Sequence, residues 1–383
     1  MSGALDLHLT DEQRDLYEHA RELGATVLNA TAEAGEPGRV NRPLVAALAE
    51  HGLLGRMFAD GREVRAIELC LIREALARGS AEAETAFALQ GLGAYPILQA
   101  GTDAIKARWI PAVADGTAIA AFALTEPEAG SDVGALSLSA ERDGQGYRLS
   151  GEKLWISNAP EADVYSVFAR TGEGRRGITA FAVPGDAPGL SGERKHMLAP
   201  HSIGSLSFER VPVSDDDVLG QPGEGFRVAM RTLDLFRPSV GAYAIGTARR
   251  ALDLAVDYAL ERHTFGKPLS DHQAVAHRLA DVNARTNAAR LLVHQAALAH
   301  DYGAPDPALA AMAKLLATET AQEAVDAAIQ FHGARALEHG HPLEHLYREV
   351  RAPRIYEGAS EIQREIIARG LFRAAAQRRT TVR

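Results

Sequence analysis

Two acidic segments, far apart in the sequence, contain residue types suited to proton transfer and to ligand binding. Residues 355–363 read Ile-Tyr-Glu-Gly-Ala-Ser-Glu-Ile-Gln, with Glu357 directly before a glycine. Residues 123–132 read Ala-Leu-Thr-Glu-Pro-Glu-Ala-Gly-Ser-Asp and are predicted to turn at Pro127 and Gly130. A carboxylate can act as a general base. The hydroxyl groups and exposed backbone of a turn can hydrogen-bond a ligand without adding charge, although an ordinary turn with an acidic lip is the alternative.

Two further segments lie between these acidic runs. Residues 154–157 read Leu-Trp-Ile-Ser, and residues 262–268 read Arg-His-Thr-Phe-Gly-Lys-Pro. In this order, the four segments strongly resemble the acyl-CoA dehydrogenase family, and the resemblance extends from Leu9 to Phe372. Enzymes of that family use FAD to remove two hydrogens from a saturated acyl thioester, with a carboxylate as the base. The expected product here is a trans-2-enoyl thioester.

The resemblance implies that Glu357 is the catalytic base and that flavin N5 accepts the hydride. The α-proton of a thioester is a weak acid, so a carboxylate with a pKa of about 4.3 cannot remove it unaided. Donors that polarise the thioester carbonyl would help, and desolvation would raise the pKa of Glu357. Some relatives carry the base on another helix, but the matching residue here is Phe236, which cannot accept a proton. The alternative for Glu357 is a surface residue before a glycine turn.

The resemblance also implies an FAD site built from several segments. Thr125 is expected at the isoalloxazine, and Ser131 between flavin and CoA. Trp155 is expected on the flavin face opposite the substrate, and Ser157 near N5. The complete set of expected FAD contacts is Phe122, Leu124, Thr125, Gly130, Ser131, Trp155, Ile156, Ser157, Arg262, Thr264, Phe265, Gln273, Gln330, Gly333, Ala359 and Glu361.

Residues 262–273 connect two predicted helices. An arginine at such a junction can pair with a pyrophosphate or satisfy the last carbonyls of a helix. In the family this segment contacts the FAD of a neighbouring subunit, which implies a homotetramer or homodimer. Three positions depart from the family: Ala334 and Ala336 replace usual glycines, and Ala359 replaces a common threonine.

The acyl-CoA substrate is expected to contact several segments as well. Arg237 matches an arginine that orders the active-site edge in the family, and a packing or helix-start role before Pro238 is the alternative. Ala88 is small, which leaves depth for a medium-length, branched or cyclic acyl group. The family's entrance loop is shortened here to residues 56–62. The expected substrate contacts are Ser131, Asp234, Arg237, Tyr356, Gly358, Ala88 and Leu92.

The composition is that of a globular protein and argues against several other classes. Hydrophobic residues make up 46% and charged residues 24% of 383 residues. A net charge of −9 disfavours nucleic-acid binding, which requires a basic face. No apolar run approaches the about 20 residues of a membrane span, the first residues show no secretory signal, and Cys70 is the only cysteine. We therefore expect a cytoplasmic protein that binds neither nucleic acid nor membrane.

The order of the predicted elements indicates three domains. An N-terminal all-α domain is expected over 1–117, a central antiparallel β-barrel or sandwich over 118–226, and a C-terminal four-helix bundle over 227–383. The N-terminal domain begins with a capping box from Thr10 to Gln13, followed by an apolar helical face that runs to Val27. Further helices are predicted at 41–53, 64–79, 81–99, 103–115, 227–261, 271–302, 306–332 and 359–375, and strands at 118–125, 136–142, 146–150, 163–170, 177–183 and 204–210.

Two other motifs invite functional readings that the sequence does not favour. Residues 172–177, Gly-Glu-Gly-Arg-Arg-Gly, match the dinucleotide-binding fingerprint, but a second strand follows where a helix would be required, so we predict a hairpin turn. Residues 339–345 contain three histidines and a glutamate. Glycine and proline interrupt that run, so we predict a solvated loop and no metal site.

Three rival functions remain open at the level of sequence. The acyl group could be carried by an acyl carrier protein, since both carriers end in pantetheine. The same fold could also serve as a flavin oxidase, or as a flavoprotein with a binding or repair role. For the dehydrogenase, the expected electron acceptor is an electron-transfer flavoprotein.

Overall fold

The computed structural model describes residues 6–58 and 64–381. Residues 1–5, on which the expectation about a secretory signal depends, and residues 59–63 of the shortened loop lie outside this range. Within the described residues, seven helices precede the first strand, and they include all those predicted there. They are α1 (Asp11–Ala25), α2 (Val27–Glu33), α3 (Arg42–Glu50), α4 (Gly55–Phe58), α5 (Ala66–Ala77), α6 (Ala81–Ala100) and α7 (Asp103–Ala114).

The first helix begins at the predicted capping box. The Thr10 hydroxyl accepts a hydrogen bond from the Gln13 backbone, and the Gln13 side chain accepts one from the Thr10 backbone. These bonds satisfy amides that have no partner inside the helix. The predicted apolar face was wrong at its end: α1 stops at Ala25, and Val27 begins α2 with 39% of its surface exposed.

The middle of the chain forms one eight-stranded sheet in the order β6-β7-β3-β2-β4-β5-β8, with β1 paired to β4. Most pairs are antiparallel, whereas β1 and β2 each pair with β4 in parallel. The predicted hairpin at 172–177 is confirmed, because it joins the antiparallel strands β4 and β5. Neither β6 nor β8 was predicted. The strands are β1 (Ala120–Ala123), β2 (Ser139–Arg142), β3 (Gly146–Ser157), β4 (Val164–Arg170), β5 (Ile178–Pro184), β6 (Leu190–Arg194), β7 (Ile203–Ser214) and β8 (Val218–Leu219).

The last part of the described chain is helical again, apart from a short hairpin of β9 (His263–Thr264) and β10 (Lys267–Pro268). The predicted solvated loop at 339–345 was wrong, because α11 begins at Pro342 and buries Leu343 and Leu346. The helices are α8 (Gly225–Glu261), α9 (Gln273–Asp301), α10 (Pro307–His332), α11 (Pro342–Val350) and α12 (Ser360–Thr381).

The chain groups into two compact units. The first contains residues 1–26, 65–84 and 234–383, and the second contains residues 27–64 and 85–233. In the first unit, α5 packs against α1 and α9, and α10 packs against α9 and α12. Cys70 on α5 is fully buried there. The second unit contains the whole eight-stranded sheet. Across the described residues, every helix is too short or too polar to span a membrane.

Candidate active site

Glu357 lies in a short loop of the first unit, between a 3-10 turn at Ala352–Arg354 and the start of α12. Its φ is +51°, and that of Gly358 is +94°. A left-handed conformation is unfavourable for a residue with a Cβ atom and persists only where neighbouring groups enforce it. A Cβ atom at Gly358 would lie 2.5 Å from the Gln363 amide nitrogen, so it would displace the end of the side chain that bonds this loop.

Two side chains hold the carbonyl groups of this loop. Lys314 of α10 donates hydrogen bonds to the carbonyls of Tyr356 at 2.9 Å and Gly358 at 2.7 Å. Gln363 of α12 donates to Gly358 at 2.8 Å and to Glu357 at 3.3 Å. Every carbonyl from Tyr356 to Gly358 therefore accepts a hydrogen bond from a side chain on a flanking helix. The loop takes its shape from these helices.

The carboxylate of Glu357 is sheltered and incompletely paired. Its Oε2 atom is buried and has no hydrogen-bond partner among the described residues. Burial raises the pKa of Glu357, and the cations Arg73, Lys314 and Arg237, in that order, oppose this effect. Burial outweighs the three cations, so the pKa stays above its ordinary value. A carboxylate with a raised pKa is a stronger base once ionised.

Arg73 of α5 is a part of this site that sequence reasoning missed. It is buried, forms an ion pair with Glu84 of α6, and donates a hydrogen bond to the Ser239 hydroxyl at 2.6 Å. Arg73 is also the largest of the charges that lower the pKa of Glu357. The available signal was a charged residue inside the apolar run Leu-Cys-Leu-Ile-Arg, since a buried arginine needs a partner.

Lys314 was missed for the same reason. It is completely buried, and burial lowers its pKa to about 8, while Glu357 acts in the opposite direction. It is the only charged residue in the stretch Ala-Ala-Met-Ala-Lys-Leu-Leu-Ala. A lone lysine in such an apolar helical stretch indicates a buried ammonium with a specific partner.

Arg237 and Asp234, both predicted substrate contacts, lie one turn apart on α8. Arg237 donates to Asp234 at 2.7 Å, yet its Nε atom is buried without a partner among the described residues. Burial raises the pKa of Asp234. The alternative of a helix-start role for Arg237 is wrong, because α8 runs through Pro238 without a break.

In the second unit, the turn with Thr125 and Ser131 is fixed by a buried ion pair. The Glu126 carboxylate accepts bonds from the Ser137 amide and hydroxyl, the Leu138 amide, and the Lys153 ammonium at 2.8 Å. Lys153 also donates to the Leu124 carbonyl at 2.9 Å. Glu126 is therefore not part of an exposed acidic lip, because its carboxylate points into the protein and ties both ends of the turn together.

Arg170 of β4 supports the far side of the same turn. Its guanidinium donates to the Leu136 carbonyl at 2.8 Å and to the Gly134 carbonyl at 2.7 Å. The same group donates to the carbonyls of Gly172 at 3.0 Å and Gly174 at 3.1 Å in the β4–β5 hairpin. One side chain thus links the segment after Ser131 to the neighbouring hairpin.

Trp155 lies near the end of β3, where the pairing with β7 shifts register. Its φ is +59° and its surface is 52% exposed, so the indole is not part of the core. The Leu154 amide donates to the Thr125 carbonyl at 3.0 Å, which joins this strand to the predicted flavin-contacting turn. Leu124 and Ile156 are buried, so their side chains pack inside the sheet domain.

The predicted contacts at the helix junction are exposed. Phe265 forms the tip of the β9–β10 hairpin, with φ +50° and 98% of its surface exposed. Arg262 and Gln273 are exposed, and Thr264 is half-buried. The remaining predicted contacts of the first unit are the exposed Gln330, Gly333 and Glu361 and the half-buried Ala359; in the second unit, Phe122 is half-buried and Gly130 is exposed.

The histidines of residues 339–345 take separate partners. His341 caps α11 by accepting a bond from the Leu343 amide. His345 lies 3.1 Å from Glu82, and this carboxylate raises the pKa of the imidazole. Glu349 is close enough to complete a three-residue group with these two side chains. The ion pair between His345 and Glu82 explains why these side chains lie close together.

The free groups of the second unit suit a neutral ring system with polar edges. The hydroxyls of Thr125, Ser131 and Ser157 have no hydrogen-bond partner among the described residues, and the indole of Trp155 is exposed. Such groups can hydrogen-bond a flavin ring and cover one of its faces. Within the second unit, these groups indicate a flavin-dependent oxidoreductase.

Comparisons with known proteins agree with this class. Models of the acyl-CoA dehydrogenase N-terminal, middle and C-terminal domains match residues 10–117, 121–211 and 223–372. Over 376 residues, the chain is 34% identical to cyclohexane-1-carbonyl-CoA dehydrogenase of Geobacter metallireducens, with 96% of this chain and 99% of that protein covered.

Solved structures show the same similarity. Butyryl-CoA dehydrogenase from Megasphaera elsdenii superposes with a TM-score of 0.89 at 33% identity, over 95% of this chain and 99% of that one. An FAD complex of PigA superposes with a TM-score of 0.89 at 29% identity, over 95% and 98% of the two chains. The chain belongs to the acyl-CoA dehydrogenase family. It is an FAD-dependent oxidoreductase of acyl-CoA metabolism.

Proposed function

We propose that this enzyme converts a saturated acyl-CoA to the trans-2-enoyl-CoA, with Glu357 as the base. The observation that carries the proposal is the sheltered carboxylate of Glu357, whose Oε2 atom has no internal partner among the described residues. FAD, when bound, supplies the acceptor for the hydride that leaves the β-carbon. Glu357 takes the α-proton, so that both hydrogens of the saturated bond are accounted for.

The loop around Glu357 also provides a donor for the substrate. The backbone amide of Glu357 has no hydrogen-bond partner among the described residues. We assign this amide to the thioester carbonyl, because a fixed donor at the developing negative charge lowers the barrier to α-proton removal. Arg237 and Asp234 are assigned to the edge of the substrate site, and the free Nε atom of Arg237 supports that role.

The FAD and CoA contacts are assigned by position in the second unit. Thr125, Ser131 and Ser157 offer free hydroxyls, and Trp155 offers an exposed aromatic face. Ala88 and Leu92 are assigned to the acyl group, and the small side chain of Ala88 favours a medium-length, branched or cyclic chain. The similarity to a cyclohexane-1-carbonyl-CoA dehydrogenase supports the cyclic option. A panel of acyl-CoA thioesters with an artificial electron acceptor tests this assignment.

Further properties follow from the same family membership. We propose an electron-transfer flavoprotein as the acceptor, a homotetrameric or homodimeric assembly, a cytoplasmic location, and domain boundaries at 117/118 and 226/227. The assembly is proposed from the match of residues 262–268 to the family segment that contacts a neighbouring subunit, and Phe265 of that segment is 98% exposed. A purified protein that is a monomer and does not take up FAD would contradict this group of proposals. Competition between acyl-CoA and acyl-carrier substrates decides the carrier.

The decisive test of the proposed base is Glu357→Gln. The amide is nearly isosteric but cannot accept the α-proton, and loss of a general base costs about 10²–10⁴ in rate. We expect the loss to reach the top of that range, with FAD content and thioester binding retained. The measurement is anaerobic flavin reduction by substrate, and Phe236→Glu in the Glu357→Gln background should restore part of the rate. Near wild-type reduction by Glu357→Gln would show that the base lies elsewhere.

A further inference from the structure

We propose that Lys314 is a positioning residue for the reaction, because it fixes the left-handed backbone at Glu357 and thereby sets the direction of the carboxylate. This inference rests on the proposed function, in which Glu357 is the base. It concerns a residue that touches neither the acyl chain nor the flavin in that proposal. Its hydrogen bonds go to the backbone carbonyls of the loop.

The geometry supports a specific clamp. The ammonium group of Lys314 bonds the carbonyls of Tyr356 and Gly358, which lie on either side of the Glu357 carbonyl. The two residues of the loop with positive φ are Glu357, which lies between the two bonded residues, and Gly358, which is one of them. A buried ammonium group that bonds both carbonyls at once restricts the φ and ψ angles between its two acceptors. Hydrogen bonds from a charged donor are also roughly twice as strong as neutral ones.

The contacts of Lys314 support few other roles for this side chain. The Lys314 side chain is completely buried, and among the described residues its ammonium group donates to the carbonyls of Tyr356 and Gly358. A buried lysine used only to stabilise the fold would be expected to meet a carboxylate, as Lys153 meets Glu126 at 2.8 Å. The ammonium group of Lys314 instead bonds carbonyl groups, and Glu357 is the carboxylate that raises its pKa most.

Gln363 gives an independent way to test the clamp. It bonds the same loop from α12, but it carries no charge. If the loop's shape matters, weakening either anchor must slow the chemistry in the same manner. If only the buried charge matters for folding, Gln363 is irrelevant to the rate.

The experiment compares Lys314→Met and Gln363→Leu with the control Thr318→Val in the full-length, FAD-loaded protein. Thr318 is buried one turn along α10 and bonds the Lys314 carbonyl, so its loss removes a buried hydrogen bond away from the loop. Three quantities are measured: anaerobic flavin reduction, exchange of the substrate's α-protons with D₂O using a thioester that cannot be oxidised, and hydrogen exchange of the amide at position 363 beside the loop.

We expect Lys314→Met to slow flavin reduction and α-proton exchange by about 10²-fold, since small misplacement of a reacting group has effects of that size. Gln363→Leu should slow both by about tenfold, and both variants should speed exchange of the amide at position 363, which bonds the Ala359 carbonyl beside the loop. Thr318→Val should lower the melting temperature and leave the two rates within about twofold. Unchanged rates in both loop variants would overturn the proposal, even if Lys314→Met is less stable.

A double-mutant cycle separates this proposal from the proposed function. Because Lys314 acts through the loop of Glu357, adding Lys314→Met to Glu357→Gln should cost clearly less than its loss of about 10²-fold in the wild-type background, since only the amide donor of the loop remains to be displaced. A full additional 10²-fold loss would show an independent role and overturn the inference. If Glu357→Gln itself retains its rate, the base assignment fails. If Glu357→Gln is inactive and the loop variants are not, only the positioning role fails.

Discussion

Two buried lysines, one in each unit, hold the two turns on which the proposed chemistry depends. Lys153 holds the turn with Thr125 and Ser131, and Lys314 holds the loop with Glu357. Both side chains are completely buried, and burial lowers the pKa of each to about 8. They differ in their partners. Lys153 is neutralised by a carboxylate, whereas Lys314 bonds carbonyl groups and leaves its charge beside the proposed base.

This difference matches what each turn is proposed to bind. The hydroxyls of the turn in the second unit suit the edge of a neutral flavin ring, and binding such a ring does not require a net charge behind the turn. The loop of the first unit carries an acid that must be ionised to act, and the cations around it oppose the effect of burial on its pKa. A buried ion pair therefore holds the turn of the second unit, whereas in the first unit three cations lower the pKa of the proposed base against the effect of burial.

Unfavourable backbone conformations also lie close to the proposed functional segments. Among the described residues, the non-glycine positions with positive φ are Trp155, Asn158, Arg210, Phe265 and Glu357. All except Arg210 lie within or beside segments predicted to contact FAD or substrate. Strain of this kind persists where surrounding structure enforces it, and it is common at functional sites.

Breaking the buried ion pair between Glu126 and Lys153 should have the largest effect on stability. Glu126→Gln leaves the buried Lys153 ammonium without its counter-charge, and breaking a buried ion pair typically costs about 3–5 kcal/mol. Urea denaturation should show a loss of that order in the free energy of unfolding, together with lower FAD content. Glu126→Gln combined with Lys153→Met should recover part of the loss. A single variant that loses less than about 1 kcal/mol would mean that the pair is not a scaffold.

The loop of Glu357 should be intolerant of a Cβ atom at Gly358. The φ of +94° is unfavourable for alanine, and the added atom would lie 2.5 Å from the Gln363 amide nitrogen. We expect Gly358→Ala to cost about 1–3 kcal/mol of stability and to slow flavin reduction about 10²-fold by moving Glu357. A matched control is Gly340→Ala, which has a similar φ of +87° but meets nothing within 4 Å. Equal effects of both substitutions on the rate would show that strain alone, and not the clamp, is responsible.

Much of the fold could be predicted from the sequence, because helical and strand periodicities reflect which faces are buried. The miss at α11 has a local cause: Pro342 suggested an interruption, but proline is well suited to the first turn of a helix, and His341 caps it. The predicted site residues came from motif resemblance. Arg73 and Lys314 were missed because their roles depend on partners that are distant in sequence, and composition does not reveal which charges are buried together.

The pH dependence of flavin reduction should report the charges around Glu357. Because burial raises the pKa of Glu357, the rate should fall as pH decreases through a value above the ordinary pKa of 4.5. The double substitution Arg73→Met and Glu84→Gln removes a buried pair without leaving an unpaired charge, and it should move the midpoint to higher pH. Rapid-mixing reduction measured across a pH series provides the test. A midpoint that moves to lower pH would contradict the assigned influence of Arg73.

The smallest expected effect is the change in the protein's melting temperature when Glu357 is replaced. A carboxyl group whose folded pKa is raised binds more protons in the folded than in the unfolded state between the two pKa values, so its contribution to stability is lost as pH rises through the folded pKa. Above that pH, ionised Glu357 is held in a sheltered site at a cost, and Glu357→Gln should raise the melting temperature by roughly 1–3 °C. At a pH below the unfolded pKa the two proteins should melt alike, which serves as the control. Lys314→Met removes a cation that favours ionised Glu357, so it should enlarge the stabilisation by Glu357→Gln at neutral pH. A stabilisation that is the same with and without Lys314 would mean that the two groups are not coupled, and that the contrast between the two lysines lies only in their hydrogen bonds.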